Sequence, residues 1–381
     1  MTWAPSQLGG RGLRALEGLP AAAVVLSLPT RLLLTPAAAR RDPVVSAALM
    51  QSGASLTDSS VLAVFLLYHA SRGTESLWLP YIRALPRSYT DGGCWDDNAE
   101  ELQVPYAVQY ISSLATQRME DYATASDVLA LLGLPQKLRS YAAWCWAMST
   151  VSTRTVFTSV EEAGTAGALC PVGDLVNHRV ADGGAPCGYG ELRGDTYVFV
   201  ANETVPVGGE VFVSYGDLPS LQLLGLYGFV PDVGHLPSSD VALLPSGPHL
   251  EDILPGEPDA LCVSMHDGAP GWRLLAALRL AHASQGARKA RGHCAASGDM
   301  IDIESEGAAY SRLRLAASAA LAALPTTEAH DVALGEAPHP HVALAVQWRL
   351  RYKRALRMCV KLCTNRVNWC DEQSSPTIVK R

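Results

Sequence analysis

The stretch from Cys170 to Asp232 constrains this chain more than any other. Three features follow one another there in a fixed order. An Asp-x-x-Asn-His group comes first, at Asp174, Asn177 and His178. A turn-punctuated run with β-type residues follows and reads as a meander. It leads to Ser-Tyr-Gly at 214–216 and then to Tyr-Gly-Phe at 227–229. Amide and imidazole groups suit hydrogen bonding at a buried turn. Singly, each feature has a plain structural reading: Tyr-Gly ends a strand and Asn-His satisfies a turn.

The N-terminal sequence adds a second constraint. Gly9-Gly-Arg-Gly-Leu-Arg-Ala15 is dense in glycine, and Ala21 to Leu28 is a short β-type run closed by Pro29. Glycines one residue apart let backbone amides approach a ligand closely, because no Cβ intervenes. The same residues also make an ordinary hairpin. No G-x-G-x-x-G opens a helix, so the dinucleotide fingerprint is missing. Structural sequence is expected to begin by Gly9. Leu-Pro-x-x-Leu-Leu-Leu-Thr at 28–35, Trp-Leu-Pro-Tyr-Ile-Arg-Ala-Leu-Pro-Arg-Ser-Tyr at 78–89 and Ala345 to Leu356 complete the set. In this order, the set resembles SET-domain protein-lysine methyltransferases of the Rubisco large-subunit methyltransferase type.

The resemblance implies an α+β architecture. A β-rich SET fold with a pseudoknot, residues 1–232, is interrupted by a helical insertion at about 42–151. An all-α substrate-binding domain follows at 233–381. The implied cofactor is S-adenosyl-L-methionine, contacted by Arg11, Gly12, Leu13, Arg154, Asn177, His178 and Phe229. The implied substrate contacts are Arg154, Asp174 (through its main chain), Tyr215 and Tyr227, with Tyr215 at the methyl-transfer point. The partner is a protein bearing a target lysine, and no metal is needed. Three departures stand out. The helix that usually precedes the first strand is missing, Val156 stands where a bulkier aromatic is expected, and Ser220 replaces a common asparagine. They bear on substrate fit more than on cofactor binding.

Such residues suit methyl transfer from a sulfonium to an amine, an in-line displacement that needs no covalent intermediate. Alignment is the largest lever, worth ~7–11 kcal/mol for well-placed reactants. The amine must be uncharged, although free lysine titrates near ~10.4. An apolar tunnel lowers that value by desolvation. GxSxG, HExxH and P-loop patterns are absent from the sequence, which fits such chemistry.

From Asp42 to Val151 the signals are helical. Ser55 to Asp58 offers a cap for Val61 to Leu67, Gly73 closes that helix, and Tyr106 to Leu134 gives two further helical patterns. Leu138 to Val151 carries Trp144, Trp146 and Met148 as a core stripe. After Asp232, prolines mark a linker with short strands. Helices are expected at Trp272 to Ala283, Tyr310 to Leu324 and His341 to Leu362, before a loose polar tail from Asn365. The basic group Arg349 to Lys361 reads as a solvated face or local docking surface.

Net charge is −7, which argues against a general nucleic-acid binder. Nine cysteines without a CxxC spacing fit neither a disulfide framework nor a structural zinc site. No apolar run is long enough for a membrane span and no signal or transit pattern opens the chain. A soluble intracellular monomer, cytoplasmic or nuclear, is expected. Two rivals remain. One is protein-histidine methylation, known in one branch of the resembled family, against which the tyrosine at 227 leans. The other is a catalytically silent protein-binding module, against which Tyr215, Asn177 and His178 argue.

Overall fold

The computed structural model describes residues 2–5, 11–157, 167–179, 186–232, 237, 239–334 and 339–374. The chain divides into two compact units, residues 1–99 with 109–237 and residues 100–108 with 238–381.

In the first unit, β1 (Thr2–Pro5) pairs antiparallel with β2 (Arg11–Arg14). Regular structure therefore starts upstream of Gly9. β1 covers an edge of β2 that would otherwise present unpaired amides. Gly9 and Gly10 lie outside the described residues. β3 (Ala23–Pro29) follows. Next come α1 (Pro36–Arg41) and α2 (Pro43–Ser52), each with proline in its first turn and a side-chain cap from Thr35 or Asp42. Proline costs nothing there, since the first amides of a helix have no partner in it.

α3 (Asp58–Ser71) is capped by Thr57, whose Oγ1 accepts from Ser60 N, and its middle is buried on every side. α4 (Leu79–Ala84) is short. α5 (Pro105–Leu131) is a single 27-residue helix, where the sequence suggested two. No proline or glycine falls between Tyr106 and Leu132 to break it, so propagation continues once nucleated. α6 (Tyr141–Arg154) starts from the Ser140 cap. It buries Trp144 and Met148 against Leu62, Leu66 and Val128, the core stripe expected there.

β4 (Thr155–Val156) pairs with β5 (Ala168–Leu169). β6 (Asn177–His178), β7 (Gly188–Arg193), β8 (Thr196–Ala201), β9 (Glu210–Val213) and α7 (Ser220–Tyr227) complete the unit. One sheet runs β1-β2-β9-β6 and another β3-β8-β7. β6 lies parallel to β9, with Asn177 opposite Phe212 and His178 opposite Val213, while the other named pairs are antiparallel. Leu13, Leu28, Tyr197, Phe199, Val211 and Val213 form the core of this β region.

Among the described residues, the second unit's regular structure is helical apart from a two-stranded ribbon, β10 (Val241–Leu243) against β11 (Cys262–Ser264). α8 (Trp272–His282), α9 (Gln285–Ala296), α10 (Ile303–Ala322), α11 (Glu328–Leu334) and α12 (Pro340–Ser374) follow. α9 gave little sequence signal because its glycines and charges hide the pattern. Ser284 caps it and only Ala295 is fully buried.

Two expectations are corrected here. The basic group on α12 is a solvated face only in part: Arg354, Arg357 and Lys361 are exposed, whereas Arg349, Arg351 and Lys353 are 1%, 6% and 2% exposed. Asp331 accepts from Arg349 Nη2 at 2.8 Å, Lys353 Nζ at 2.5 Å and Thr326 Oγ1 at 2.8 Å, while Glu101 holds Arg349 Nη1 at 3.0 Å. Buried cations persist only when paired, and these anions lie too far away along the chain for a local charge count to find them. Nor is the tail loose from Asn365. α12 runs to Ser374, with Arg366 bound to Glu306 at 2.8 Å and stacked over Trp369, and Cys370 buried. Residues 375–381 lie outside the described part. All nine cysteines are free.

Removing one partner of a buried pair costs more than the pair contributes. Asp331→Ala is expected to lower the unfolding free energy of this unit by about 3–5 kcal/mol, read from urea melts followed by far-UV circular dichroism. A loss below ~1 kcal/mol would be the size of an exposed pair and would remove the network from its structural role.

Candidate active site

The parallel β6–β9 pairing puts His178 beside the end of β9, where Ser214 and Tyr215 leave the sheet. Tyr215 N donates to His178 Nδ1 at 2.9 Å, and Tyr215 Oη donates to Val176 O at 2.8 Å. α7 brings in Tyr227 in its last turn, with ring centroids 4.7 Å from Tyr215. Gly228 then ends the helix at φ 76°, and a Cβ there would crowd Thr90 Oγ1 at 2.5 Å and Asp91 N at 2.6 Å. Only glycine meets both demands. Phe229 follows, its ring 6.0 Å from His178.

Two cavities meet at these residues. One, of about 370 Å³, is bordered by Tyr89, Asn177, His178 and Phe229. The other, of about 180 Å³, is bordered by Val156, Phe157, Tyr197, Phe199 and Val213. Thr153, Arg154, Asp174, Tyr215 and Tyr227 line both. The larger falls in the range of small-molecule sites. The smaller is walled chiefly by aromatic and aliphatic side chains.

Arg154 ends α6 and reaches back into this wall. Its Nη1 donates to Asp174 O at 2.9 Å and lies 3.4 Å from Asp174 Oδ2. Tyr81 Oη donates to the same Oδ2 at 2.8 Å. The Asp174 side chain is only 2% exposed, so carboxylate as well as main chain is engaged. Asn177 Nδ2 donates to Arg11 O at 3.1 Å and to Glu210 Oε1 at 2.8 Å. A Cβ on Gly12 would overlap Glu210 Oε1, so this glycine makes room for the Asn177–Glu210 pair.

Burial sets the electrostatics. It pushes His178 down to about 4, so the ring is neutral near pH 7. With Nδ1 accepting from Tyr215 N, the ring proton sits on Nε2, a buried atom without a hydrogen-bond partner. Arg154 Nε is buried without one too. Burial also raises the Tyr215 and Tyr227 hydroxyls above the ordinary tyrosine range, keeping both protonated. It raises Asp174 against the opposing pull of Arg154 and Tyr81.

Of the residues singled out in the sequence, the structure gathers Arg154, Asp174, Asn177, His178, Tyr215, Tyr227 and Phe229 around the larger cavity. Arg11, Gly12 and Leu13 do not line either cavity. Leu13 packs into the sheet core, and Arg11 and Gly12 meet Asn177 and Glu210 beside the site. Val156 lines the smaller cavity, and Phe157 beside it is 68% exposed. Tyr81, Tyr89, Thr153, Glu210 and Phe199 were not singled out. Tyr81 and Tyr89 lie in the 78–89 phrase, but nothing in its spacing ties them to Asp174 or Arg154.

Residues 251–356 match the Rubisco LSMT substrate-binding family. Protein SET DOMAIN GROUP 40 of Arabidopsis thaliana is 25% identical over 94% of this chain and 88% of its own length. Human actin-histidine N-methyltransferase is 27% identical over 58% of this chain, which spans only 38% of that relative's length. Among solved structures, the SET domain of LSMT bound to lysine and AdoHcy matches with a TM-score of 0.64 and 19% identity. That match covers 97% of this chain and 88% of the other. The chain thus has the LSMT SET fold.

One pH effect follows from His178. Between the ordinary histidine value and about 4, the unfolded chain binds a proton that the native ring refuses. Stability contributed by the neutral ring is therefore present above pH ~6.5 and is lost as pH falls. The loss approaches about 3 kcal/mol near pH 4. Melting curves of wild type and His178→Gln from pH 7 to 4 should converge on acidification. Parallel curves would mean that the ring titrates normally.

Proposed function

We propose that this SET-fold chain is an S-adenosylmethionine-dependent protein-lysine N-methyltransferase of the Rubisco LSMT type. The observation that carries this is the shared wall. Thr153, Arg154, Asp174, Tyr215 and Tyr227 border both a ligand-sized cavity and a smaller one walled chiefly by aromatic and aliphatic side chains. Two reactants, one in each cavity, would meet at this wall. Well-aligned groups gain ~7–11 kcal/mol over free encounter.

Asn177, His178, Arg154 and Phe229 would hold the cofactor. The buried, partnerless Nε2 of His178 and Nε of Arg154 fit a polar ligand, because such donors are costly unless paired. Phe229 offers a ring face to the adenine, and the main chain of Arg11 to Leu13 is assigned to the same ligand through its link to Asn177. When bound, S-adenosylmethionine supplies an electrophilic methyl, whose C–S bond breaks as the N–C bond to the acceptor forms.

The smaller cavity is assigned to the target lysine. Its Val156, Tyr197, Phe199, Tyr215 and Tyr227 walls disfavour ammonium, so the amine loses its proton before transfer. Tyr215 stays protonated and donates its hydrogen to Val176 O. It acts by orientation, its lone pairs facing the transfer point, and not as a base. Retention of Tyr227 favours lysine over imidazole as acceptor. The segment matching the substrate-binding family supports a protein as substrate. In this reading the enzyme works as a monomer in the cytoplasm or nucleus, away from nucleic acid and membrane.

The test is transfer of labelled methyl from S-adenosylmethionine to a degenerate peptide library with one fixed lysine, with the product read by mass spectrometry. Label on imidazole would replace lysine with histidine. Tyr215→Phe should keep AdoHcy affinity by calorimetry while lowering kcat by roughly 10²-fold. Unchanged turnover would take Tyr215 out of the reaction.

A further inference from the structure

Tyr81 lines neither the cofactor cavity nor the lysine cavity, yet its hydroxyl makes the shortest bond to a carboxylate that lines both. Asp174 Oδ2 is 2.8 Å from Tyr81 Oη and 3.4 Å from Arg154 Nη1. We propose that Tyr81 is a positioning residue for methyl transfer, whose hydrogen bond fixes the Asp174 carboxylate and, through it, the Arg154 side chain in the wall between the two cavities. This rests on the methyltransferase reading.

The geometry carries it in three steps. The Asp174 side chain is 2% exposed, so the Tyr81 hydroxyl is a large part of its solvation. A buried carboxylate that loses a donor rotates or takes a proton more readily. Without Tyr81, its remaining side-chain contact is the 3.4 Å approach of Arg154. Arg154 holds its place through Asp174 O and Oδ2 and by lying 6.0 Å over the Tyr89 ring. A carboxylate that turns or is neutralised thus loosens a guanidinium that faces both reactants.

The proposal includes a pH dependence. The groups facing Asp174 are Arg154 from α6, Tyr81 from α4, Tyr89 from the segment after it, Cys170 after β5 and Tyr215 after β9. Among them Arg154 and the Tyr81 hydroxyl favour the ionised carboxylate. Removing the Tyr81 hydroxyl raises the pH at which Asp174 takes a proton.

Tyr81→Phe keeps the ring and removes the donor. With AdoHcy as probe, calorimetry from pH 8 to 5 should show the acid limb of binding at higher pH than in wild type. With labelled S-adenosylmethionine and the fixed-lysine library, kcat should fall about tenfold with KM held within about threefold. In an Asp174→Asn background the same substitution should no longer move the acid limb, because the titrating carboxylate is gone. A wild-type chain that binds no AdoHcy overturns the methyltransferase reading and this inference with it. Wild-type binding beside a Tyr81→Phe curve that superimposes on it overturns this inference alone. So does a shift that persists in the Asp174→Asn background.

Discussion

Two parallel residue pairs, Asn177 with Phe212 and His178 with Val213, hold the active region together. Four residues separated by more than thirty positions become neighbours there, and the Tyr215 N to His178 Nδ1 bond locks the result. That bond selects the neutral ring, because a second proton on the imidazole would meet an N–H already pointing at it. The same pairing lays Asn177 against Arg11 O and Glu210, which ties the first strands of the chain to the site. A slip of one position would turn Asn177 and His178 to opposite faces.

Asp174 with Arg154 in the first unit and Asp331 with Arg349 and Lys353 in the second use one physical device for different ends. Each places ions where water does not reach, and each is satisfied by a third group, Tyr81 or Thr326. In the second unit the device stitches residues 100–108 to α12. In the first it stands beside two cavities, where, in the proposed reaction, placement of the guanidinium bears on the reactants as well as on stability.

The fold class and most of the residues that line the larger cavity were legible in the sequence because the signals were local. Asp174, Asn177 and His178 occupy one turn, and Tyr215, Tyr227 and Phe229 flank one short helix. Thr57, within the Ser55 to Asp58 cap segment, marked a helix start for the same reason. What escaped depends on distance along the chain. The burial of Arg349 and Lys353 hinges on Glu101 and Asp331, and the roles of Tyr81 and Glu210 exist only once α4 and β9 are brought to the Asp174–Asn177 turn. Around Arg11, Gly12 and Leu13 the glycine-rich pattern was visible, but the packing it serves was not: Gly12 makes room for the Glu210 side chain and Leu13 fills the sheet core.

In the proposed reaction the smaller cavity carries a trade-off in using tyrosines near an amine. An apolar wall lowers the amine's affinity for protons, but the same burial raises that of Tyr215 and Tyr227. The two shifts run in opposite directions and widen the gap between neutral amine and tyrosinate. A tyrosine held neutral in this way does not, in the proposed reaction, collect the amine's proton. Its hydroxyl, fixed on Val176 O, would direct lone pairs instead of charge. Such a site would gain orientation by giving up general-base catalysis.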